Sequence, residues 1–470
     1  MRYHIWTVGC QMNKADSQKL AAGLDRLGWA EVAELEQADL VVLNTCSIRD
    51  HAEQRAISKL GTLKKLRRQG REFKIAVMGC MVGLKTDELQ RRFPFVDAFA
   101  RPQQFEPILK AIGHDDLGGE FWPATFATPD SPTAYVPIVH GCDKFCTYCI
   151  VPYRRGRERS RTIDDIRNEV AHLAARGVRE VTLLGQTVEA YGHDLSDQPD
   201  LGDLLRALHD IDGIERFRFL TSYPKDMTER IIDAVAELPK VCEYFNVPVQ
   251  SGDNAVLARM RRGYEIELYR EKVDLIRRKV PDVAITTDVI VGFCGETDEE
   301  FQRTYDLLAE LQFDKVHVAA YSPRPGTIAY RTLEDDVPQE TKMARFHAIE
   351  QLEAGISSRI NSRLLGDEVE VLVEGQKPRP VADSPGREPA EGPNSDGEQL
   401  WYGRSRRNKL VHFQSASGGG VGELVAVRIE RTSPWSLVGT AVEAGAAMPA
   451  SAAGCKPDDV AGRVTPPVSS

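Results

Sequence analysis

The sequence predicts an α/β protein with an N-terminal parallel-sheet domain, a central partial (β/α)6 barrel and a small C-terminal β-barrel. Three observations support this fold class. Strand-like runs alternate with helical stretches through most of the chain, short β-rich runs replace them near the end, and 470 residues are too many for one ordinary core. We place the three domains at residues 1–118, 128–365 and 366–445.

The N-terminal domain is predicted from three apolar runs, YHIWTVGC, LVVLNTC and KIAVMGC, with helices over about 14–27 and 51–68. Strands that alternate with helices pair in parallel, because each helix carries the chain back along the sheet. A Pro- and Thr-rich stretch at about 121–132 predicts a linker to the next domain.

The central domain is predicted from six further strand-like runs with helical sequence between them. The runs are YVPIVHG, EVTLLGQ, ERFRFLT, CEYFNVPV, VAITTDVIVGF and KVHVAAYS. Helices are predicted at about 162–176, 226–238, 264–278 and 298–311. Six such units indicate a barrel or partial barrel, whose working residues lie at the carboxyl ends of its strands.

The C-terminal domain follows a charged helical stretch over about 339–365. Four short β-like runs, EVEVLVEG, KLVHF, ELVAVRIE and WSLVGTAVE, then predict a small β-barrel. The Pro-rich insertion at 377–398 is predicted to be a mobile loop, and the Ala-, Pro- and Ser-rich residues 446–470 a disordered tail.

Composition favours a cytoplasmic protein with no membrane partner. No stretch approaches the roughly 18 apolar residues that span a bilayer, and the N-terminus lacks the features of a signal peptide. Cytosolic cysteines stay reduced, so clusters among the nine cysteines indicate metal binding or catalysis. The net charge of −10 argues against a wholly basic nucleic-acid binder, but it allows local basic patches. We expect a monomer.

Cys142, Cys146 and Cys149 form CxxxCxxC after the first strand of the central domain. Thiolates at this spacing can bind one iron–sulfur cluster from a single loop. Three protein ligands leave one iron of a [4Fe–4S] cluster open for another ligand. The alternative is zinc with His140 as a fourth ligand, although structural zinc sites usually use two separated pairs of ligands.

Cys10, Cys46 and Cys80, here called the N-terminal triad, each end a predicted strand of the first domain. The carboxyl ends of parallel strands share one edge of the sheet, so the three thiols can converge on a second cluster. The alternative is three buried core cysteines. The other cysteines show no partner spacing and are not predicted to bind metal: Cys242, Cys294 and Cys455.

A dense group of arginines follows the CxxxCxxC motif: Arg154, Arg155, Arg157, Arg159 and Arg161. Guanidinium groups suit the recognition of phosphates, so this run predicts a polyanion contact. The alternative is an ordinary solvated face of the protein.

A second basic run, WYGRSRRNKLVHF, lies in the predicted C-terminal barrel. Its cations have no acid among them and lie beside aromatic residues: Arg404, Arg406, Arg407 and Lys409. Small β-barrels with basic and aromatic faces often bind single-stranded or looped RNA. The alternative is a solubilising hairpin.

These motifs resemble those of the radical-SAM methylthiotransferases, most closely the tRNA-modifying MiaB type, over residues 1 to about 445. GCQMNKADS, NTCSIRDHAE and MGCM resemble the family's N-terminal cluster segments, and HGCDKFCTYCIVPYRRGRERSR resembles its radical-SAM motif. Further matches are LLGQTVEAYG, TSYPKDM, PVQSGDNAVLARMRRGY, DVIVGFCGET and YSPRPGTIA. The C-terminal domain resembles the family's TRAM RNA-binding module.

The resemblance implies two [4Fe–4S] clusters. One is held by Cys142, Cys146 and Cys149, here called the radical triad, and the other by the N-terminal triad. It also implies S-adenosylmethionine as both radical source and methyl donor. It implies that the enzyme methylthiolates carbon 2 of N(6)-isopentenyladenosine at position 37 of tRNA, next to the anticodon. Carbon 2 carries a hydrogen that is not acidic, which is why a radical is needed. The implied partners are the tRNA anticodon stem-loop, an electron donor such as flavodoxin or ferredoxin, and a sulfur-supply system. Both arginine runs are then the natural tRNA contacts.

The resemblance also implies contacts to S-adenosylmethionine at Tyr148, Gly185, Gln186, Ser222, Gln250 and Gly292. Four positions depart from the usual pattern of the family: Thr187, Tyr223, Asn246 and Cys294. These departures put the fine positioning in doubt rather than the reaction, because all six cysteines of the triads are present. The 377–398 insertion can alter how the TRAM-like domain contacts RNA.

Three alternatives stay open from the sequence. The first is a methylthiotransferase that acts on N(6)-threonylcarbamoyladenosine in tRNA, whose relatives tend to have lysine in place of Gln11. The second modifies an aspartate of a ribosomal protein, and the run RGRERSR argues against it. The third is a non-catalytic iron–sulfur RNA-binding or electron-transfer protein, which would not cleave S-adenosylmethionine.

Overall fold

A computed structural model describes residues 1–46, 50–83, 86–114, 131–377, 399–415 and 420–442. The tail predicted at 446–470, with Cys455, lies outside these ranges, as do all but the ends of the predicted linker and of the 377–398 insertion. Within the described residues the predicted α/β class is confirmed, and the three-part architecture is present. None of the helices described there has the length and apolar character to cross a membrane.

The N-terminal domain is a five-stranded parallel sheet in the order β2-β1-β3-β4-β5. The strands are β1 (Arg2–Thr7), β2 (Ala30–Glu31), β3 (Leu40–Thr45), β4 (Lys74–Gly79) and β5 (Ala98–Ala100). The helices are α1 (Gln11–Arg26), α2 (Asp50–Arg68), α3 (Asp87–Arg92) and α4 (Glu106–Ala111). Apolar clusters lie on both faces of the sheet, which explains why β3 is buried at every residue.

The central domain is a partial barrel of two three-stranded parallel sheets, ordered β6-β9-β10 and β11-β12-β13. Its strands are β6 (Thr133–Pro137), β7 (Val139–His140), β8 (Arg159–Ser160), β9 (Glu180–Leu184), β10 (Arg216–Leu220), β11 (Tyr244–Asn246), β12 (Ala284–Val291) and β13 (Lys315–Ala320). The short β7 and β8 form a separate antiparallel pair. One continuous apolar core joins the two sheets. The six predicted barrel strands are confirmed as β6 and β9 to β13.

The helices of the central domain cover the outer face of the partial barrel. They are α5 (Val151–Arg155), α6 (Ile163–Ala175), α7 (Leu201–His209), α8 (Glu229–Glu237), α9 (Asn254–Arg259), α10 (Ile266–Lys279), α11 (Asp298–Leu311), α12 (Ile328–Thr332) and α13 (Gln339–Ser362). The helix α7, between β9 and β10, was not predicted. Asp200 and Asp203 form a capping box at its N-terminus, which is a sequence pattern that identifies a helix start.

The C-terminal domain is a closed barrel in the order β14-β15-β16-β18-β17. The strands are β14 (Glu368–Gln376), β15 (Gln399–Ser405), β16 (Leu410–Ser415), β17 (Leu424–Thr432) and β18 (Leu437–Ala441). The sequence did not predict β15, because Gly403 and Arg404 weaken its strand pattern. Gly403 is required where β15 pairs with β14, since a Cβ there would collide with the Leu372 carbonyl oxygen.

Candidate active site

The loop that carries the radical triad runs from β7 to α5 and is anchored by backbone hydrogen bonds. The Cys142 amide donates to the Gly156 carbonyl at 3.1 Å, and the Thr147 amide donates to the Met260 carbonyl at 3.0 Å. Gly141 has φ of +74°, and a Cβ there would collide with the Arg157 carbonyl. This anchoring holds the loop against the carboxyl ends of the barrel strands.

The three thiols of the radical triad lie close enough together to affect one another's charge. Burial first, and then the charge of neighbouring triad cysteines, raise the pKa of Cys142 and raise that of Cys149 to about 12. Cys142 and Cys146 are buried. Two polar side chains contact the sulfurs: the Arg262 guanidinium lies 3.5 Å from Cys146 Sγ, and Thr187 Oγ1 lies 3.7 Å from Cys142 Sγ. Such buried thiols become thiolate ligands only when a metal displaces their protons.

The donor set of the radical triad, three thiols on one loop, is of the kind that binds an iron–sulfur cluster. The zinc alternative needed His140, but its ring is hydrogen-bonded to the Gln103 amide of the N-terminal domain.

The N-terminal triad lies at the carboxyl edge of the first sheet. Cys10 precedes α1, and Cys46 and Cys80 follow the adjacent parallel strands β3 and β4. Burial first, with a contribution from the charges of the other two triad cysteines, raises the pKa of Cys80 to about 11, so the three thiols converge. Asn13 fixes the edge, because its Nδ2 donates to the Val8 carbonyl at 3.1 Å and to the Thr45 carbonyl at 2.9 Å.

Arg155 was predicted to contact tRNA, which requires a side chain at the surface, but its side chain is buried. Its Nη2 donates to Asn13 Oδ1 and to Asp16 Oδ2, both at 3.0 Å, and its side chain is 2% exposed. The same guanidinium lies beside Cys10 and Cys80 of the N-terminal triad. Arg155 therefore belongs to the interior between two domains, where it has no surface to offer RNA.

The other arginines of this run are distributed between an interdomain contact and the surface. The Arg154 guanidinium lies against Gly83, and the Arg154 backbone carbonyl accepts a hydrogen bond from Arg101 Nη2 at 3.1 Å. Arg161 is mostly covered and forms ion pairs with Asp165 and Glu169. The two remaining members lie at the surface: Arg157, which is 73% exposed and pairs with Asp143, and Arg159.

The residues predicted to contact S-adenosylmethionine lie at the carboxyl ends of successive strands. Gly185 and Gln186 follow β9, Ser222 follows β10, Gln250 follows β11, and Gly292 follows β12. Gly185 lies so close to β7 that a Cβ would lie 2.6 Å from Val139 Cγ1. Tyr148 lies within the triad loop, with its ring edge-on to Phe293 at 6.3 Å between centroids. The structure thus brings these positions to the end of the barrel that carries the radical triad.

Two buried charged residues at this end were not predicted from the sequence. Glu189 is buried, and burial raises its pKa to about 7. Its Oε2 accepts from the Tyr223 amide at 3.0 Å. Arg262 contacts Cys146 of the radical triad. Arg262 lies in the segment PVQSGDNAVLARMRRGY, which resembles the family pattern, but residue type alone does not distinguish it from the exposed Arg261 beside it.

The basic run of the C-terminal barrel faces the central domain instead of open solvent. Arg406 forms a bidentate ion pair with Glu243 at 2.6 and 2.9 Å. Arg407 pairs with Asp282 at 3.3 Å, and Lys409 with Asp314 at 2.7 Å. Arg404 stays within the barrel, where it pairs with Glu374 at 3.5 Å. Three of the four predicted RNA contacts are thus engaged in attaching the barrel to the central domain.

Buried arginines of β10 complete this attachment from the other side. Arg216 donates to the Arg404 carbonyl at 2.9 Å and to Glu370 Oε1 at 2.6 Å. Arg218 donates to the Ser405 carbonyl at 2.6 Å and to Glu180 Oε1 at 2.8 Å. The barrel is therefore held by charge-assisted hydrogen bonds from both partners.

Comparison with known proteins identifies the class to which this site belongs. The chain matches the Radical SAM superfamily over residues 136–308 and Uncharacterized protein family UPF0004 over residues 2–100. The radical-SAM methyltransferase TsrM from Kitasatospora setae has a similar fold, with a TM-score of 0.54 and 14% identity over 70% of this chain and 74% of that chain. The protein is thus a radical-SAM enzyme, a class that uses a [4Fe–4S] cluster and S-adenosylmethionine.

Curated relatives identify the family within that class. A tRNA-2-methylthio-N(6)-dimethylallyladenosine synthase of Dehalococcoides mccartyi (strain CBDB1) is 44% identical over 93% of this chain and 97% of its own length. Synthases of the same name from Roseiflexus sp. (strain RS-1) and Herpetosiphon aurantiacus are 44% and 40% identical, over 93% and 94% of this chain and 89% and 97% of their own lengths. The chain belongs to this family of radical-SAM tRNA methylthiotransferases.

Proposed function

We propose that this enzyme adds a methylthio group to carbon 2 of N(6)-isopentenyladenosine at position 37 of tRNA, beside the anticodon. The observation that carries the proposal is the presence of two cysteine triads in adjacent domains, with four of the six thiols buried and with Arg155, which follows one triad in sequence, beside thiols of the other. One site can serve the radical and the other the sulfur. The names of the 40–44% identical relatives support the choice of substrate.

The two triads would each hold a [4Fe–4S] cluster. When bound, the clusters and S-adenosylmethionine supply the radical that removes the hydrogen from carbon 2, and the sulfur and methyl group that replace it. The protein positions these groups. Gly185 lets the end of β9 pack closely against Val139, and Tyr148 offers an aromatic face within the triad loop. Gln186, Ser222, Gln250 and Gly292 line the same end of the barrel.

We assign the tRNA contacts near the radical triad to Arg157 and Arg159, because these arginines of the first run have exposed side chains. Arg404 is the member of the second run whose ion pair stays within the barrel. An electron donor such as flavodoxin or ferredoxin would reduce the clusters, and a sulfur-supply system would replace the sulfur consumed in each turnover.

The test is mass spectrometry of nucleosides from isopentenylated tRNA after incubation with reconstituted protein, S-adenosylmethionine and a reductant. We expect the 2-methylthio derivative, and we expect Cys10→Ala and Cys142→Ala to abolish it. Cys242→Ala is the control, because Cys242 is a buried cysteine that belongs to neither triad. Product formation by Cys10→Ala or Cys142→Ala at the wild-type level would overturn the assignment of the triads.

The alternatives are distinguished by the same assay when threonylcarbamoylated tRNA is incubated in parallel with isopentenylated tRNA. A product on threonylcarbamoylated tRNA alone would identify the other tRNA substrate, which the named relatives do not favour. Binding of iron and tRNA without release of 5′-deoxyadenosine would indicate a non-catalytic protein.

A further inference from the structure

Arg262 is a fully enclosed arginine at the radical triad. It follows α9, and the whole residue is 5% exposed. Its Nη1 donates to Cys146 Sγ at 3.5 Å and lies 3.4 Å from the Tyr148 hydroxyl. Its Nη2 donates to the Pro248 carbonyl at 3.0 Å. The guanidinium therefore contacts both the thiol and the aromatic side chain of the triad loop.

Two tyrosines hold the guanidinium in this position. Its central carbon lies 4.7 Å from the ring centroid of Tyr223 and 5.4 Å from that of Tyr264. The Tyr264 hydroxyl accepts from Arg262 Nε at 3.3 Å and donates to the Val249 carbonyl at 2.8 Å. Such cation–π contacts are strong when water is excluded. The cage fixes the direction of the N–H group that reaches Cys146.

The charge of Arg262 has no acidic partner in the part of the chain that the structure describes. Its contacts there are a thiol, two tyrosine hydroxyls, a carbonyl and aromatic faces. Buried arginines elsewhere in this chain, such as Arg218 and Arg345, pair with a glutamate. A buried cation without a counter-charge is costly. The thiolate and sulfide charges of a bound cluster would supply the missing negative charge.

We propose that Arg262 is the positioning residue that raises the reduction potential of the cluster on the radical triad. One electron from a low-potential donor enters the cluster and makes it more negative by one charge. A fixed cation and an N–H donor at a ligand sulfur stabilise the reduced form more than the oxidised form. The inference rests on the proposed function, because it takes Cys146 to be a ligand of the cluster.

The experiment is a redox titration of the reconstituted full-length chain, followed by electron paramagnetic resonance of the reduced cluster. Cys10, Cys46 and Cys80 are changed to alanine in all samples, so that only the radical triad binds iron. Arg262→Met is expected to shift the midpoint potential to a more negative value. Arg262→Lys, which keeps the charge but loses the planar geometry, is expected to shift it less. Arg261→Met removes the exposed neighbouring arginine and should leave the potential unchanged.

Several outcomes would overturn the proposal. A potential in Arg262→Met that equals that of the parent chain would remove the electrostatic role. Loss of iron in both Arg262 variants, with full occupancy in Arg261→Met, would make Arg262 a residue needed for folding alone. Failure of the parent chain itself to bind iron would instead contradict the proposed function, so the two failures are distinguishable.

Discussion

Arg155 Nη2 lies 3.0 Å from Asp16 Oδ2, and the two side chains are 2% and 0% exposed. Arg155 ends α5, which follows the radical triad, whereas Asp16 lies in α1, which begins beside Cys10. One buried ion pair therefore joins the segments that carry the two triads, at the interface of their domains. Because Arg155 is buried against Asp16, it is not available to RNA, although it belongs to a dense run of arginines in the sequence.

Removal of Asp16 is expected to destabilise the folded protein strongly. Asp16→Ala leaves a buried guanidinium without its counter-charge, which costs about 3–5 kcal/mol of unfolding free energy. Denaturant titration of the purified chain measures this loss. Glu310→Ala is the control, because it breaks the exposed Arg270–Glu310 pair and should cost less than about 1 kcal/mol. Similar losses in the two variants would show that the interdomain pair contributes little.

The iron content of the chain should divide between the two triads. Replacing all three cysteines of either triad by alanine is expected to remove about half of the bound iron and sulfide, since each triad would hold one cluster of the same type. Elemental analysis of the reconstituted protein provides the measurement. Cys242→Ala and Cys294→Ala should retain full iron content. Retention of all the iron in either triple variant would exclude that triad as a cluster site.

The two arginine runs should differ in their effect on tRNA affinity. Arg159→Ala removes an exposed cation and should weaken tRNA binding, with the salt dependence reduced by about one counterion. Arg406→Ala removes the same charge from a side chain that is paired with Glu243, so the salt dependence of binding should not change. Filter binding at several salt concentrations measures both. Equal reductions in the two salt slopes would mean that Arg406 also contacts RNA.

Glu189 should make stability fall as the pH rises. Its pKa is about 7 in the folded protein, where burial disfavours the charged carboxylate, against about 4.5 when exposed. Between these values the folded state binds more protons than the unfolded state, so unfolding free energy decreases with rising pH. Glu189→Gln removes this loss. The unfolding free energy of the variant minus that of the wild type should therefore rise by up to about 3 kcal/mol between acidic pH and pH above 7.

Unfolding free energies of wild type and Glu189→Gln, measured from pH 4 to 8, check this expectation. The difference between the two proteins should change across the interval between the two pKa values and level off above it. Glu267→Gln is a control, because Glu267 lies at the surface and its pKa is lowered. A pH-independent difference for Glu189→Gln would mean that the carboxyl does not titrate in this range.

The strands and both triads could be predicted because they depend on local order in the sequence. β3 and β4 are apolar runs that each end at a cysteine, and the parallel register pairs Thr45 with Gly79 directly before Cys46 and Cys80. Pattern and connection length suffice for such elements. The strand β15 was missed because Gly403 and Arg404 obscure the alternation of apolar residues.

The sequence by itself determined the fold class, the family and the grouping of six cysteines into two triads, because strand periodicity and the place of a cysteine at a strand end are properties of local sequence. Only the tertiary structure decided which arginines remain at the surface. Arg155, Arg262 and Arg406 resemble their neighbours in sequence, yet each is paired with a group brought from a distant segment: Asp16, Cys146 and Glu243. The role of a charged side chain depends on the partner it meets and on its exposure to water, and the fold alone sets both.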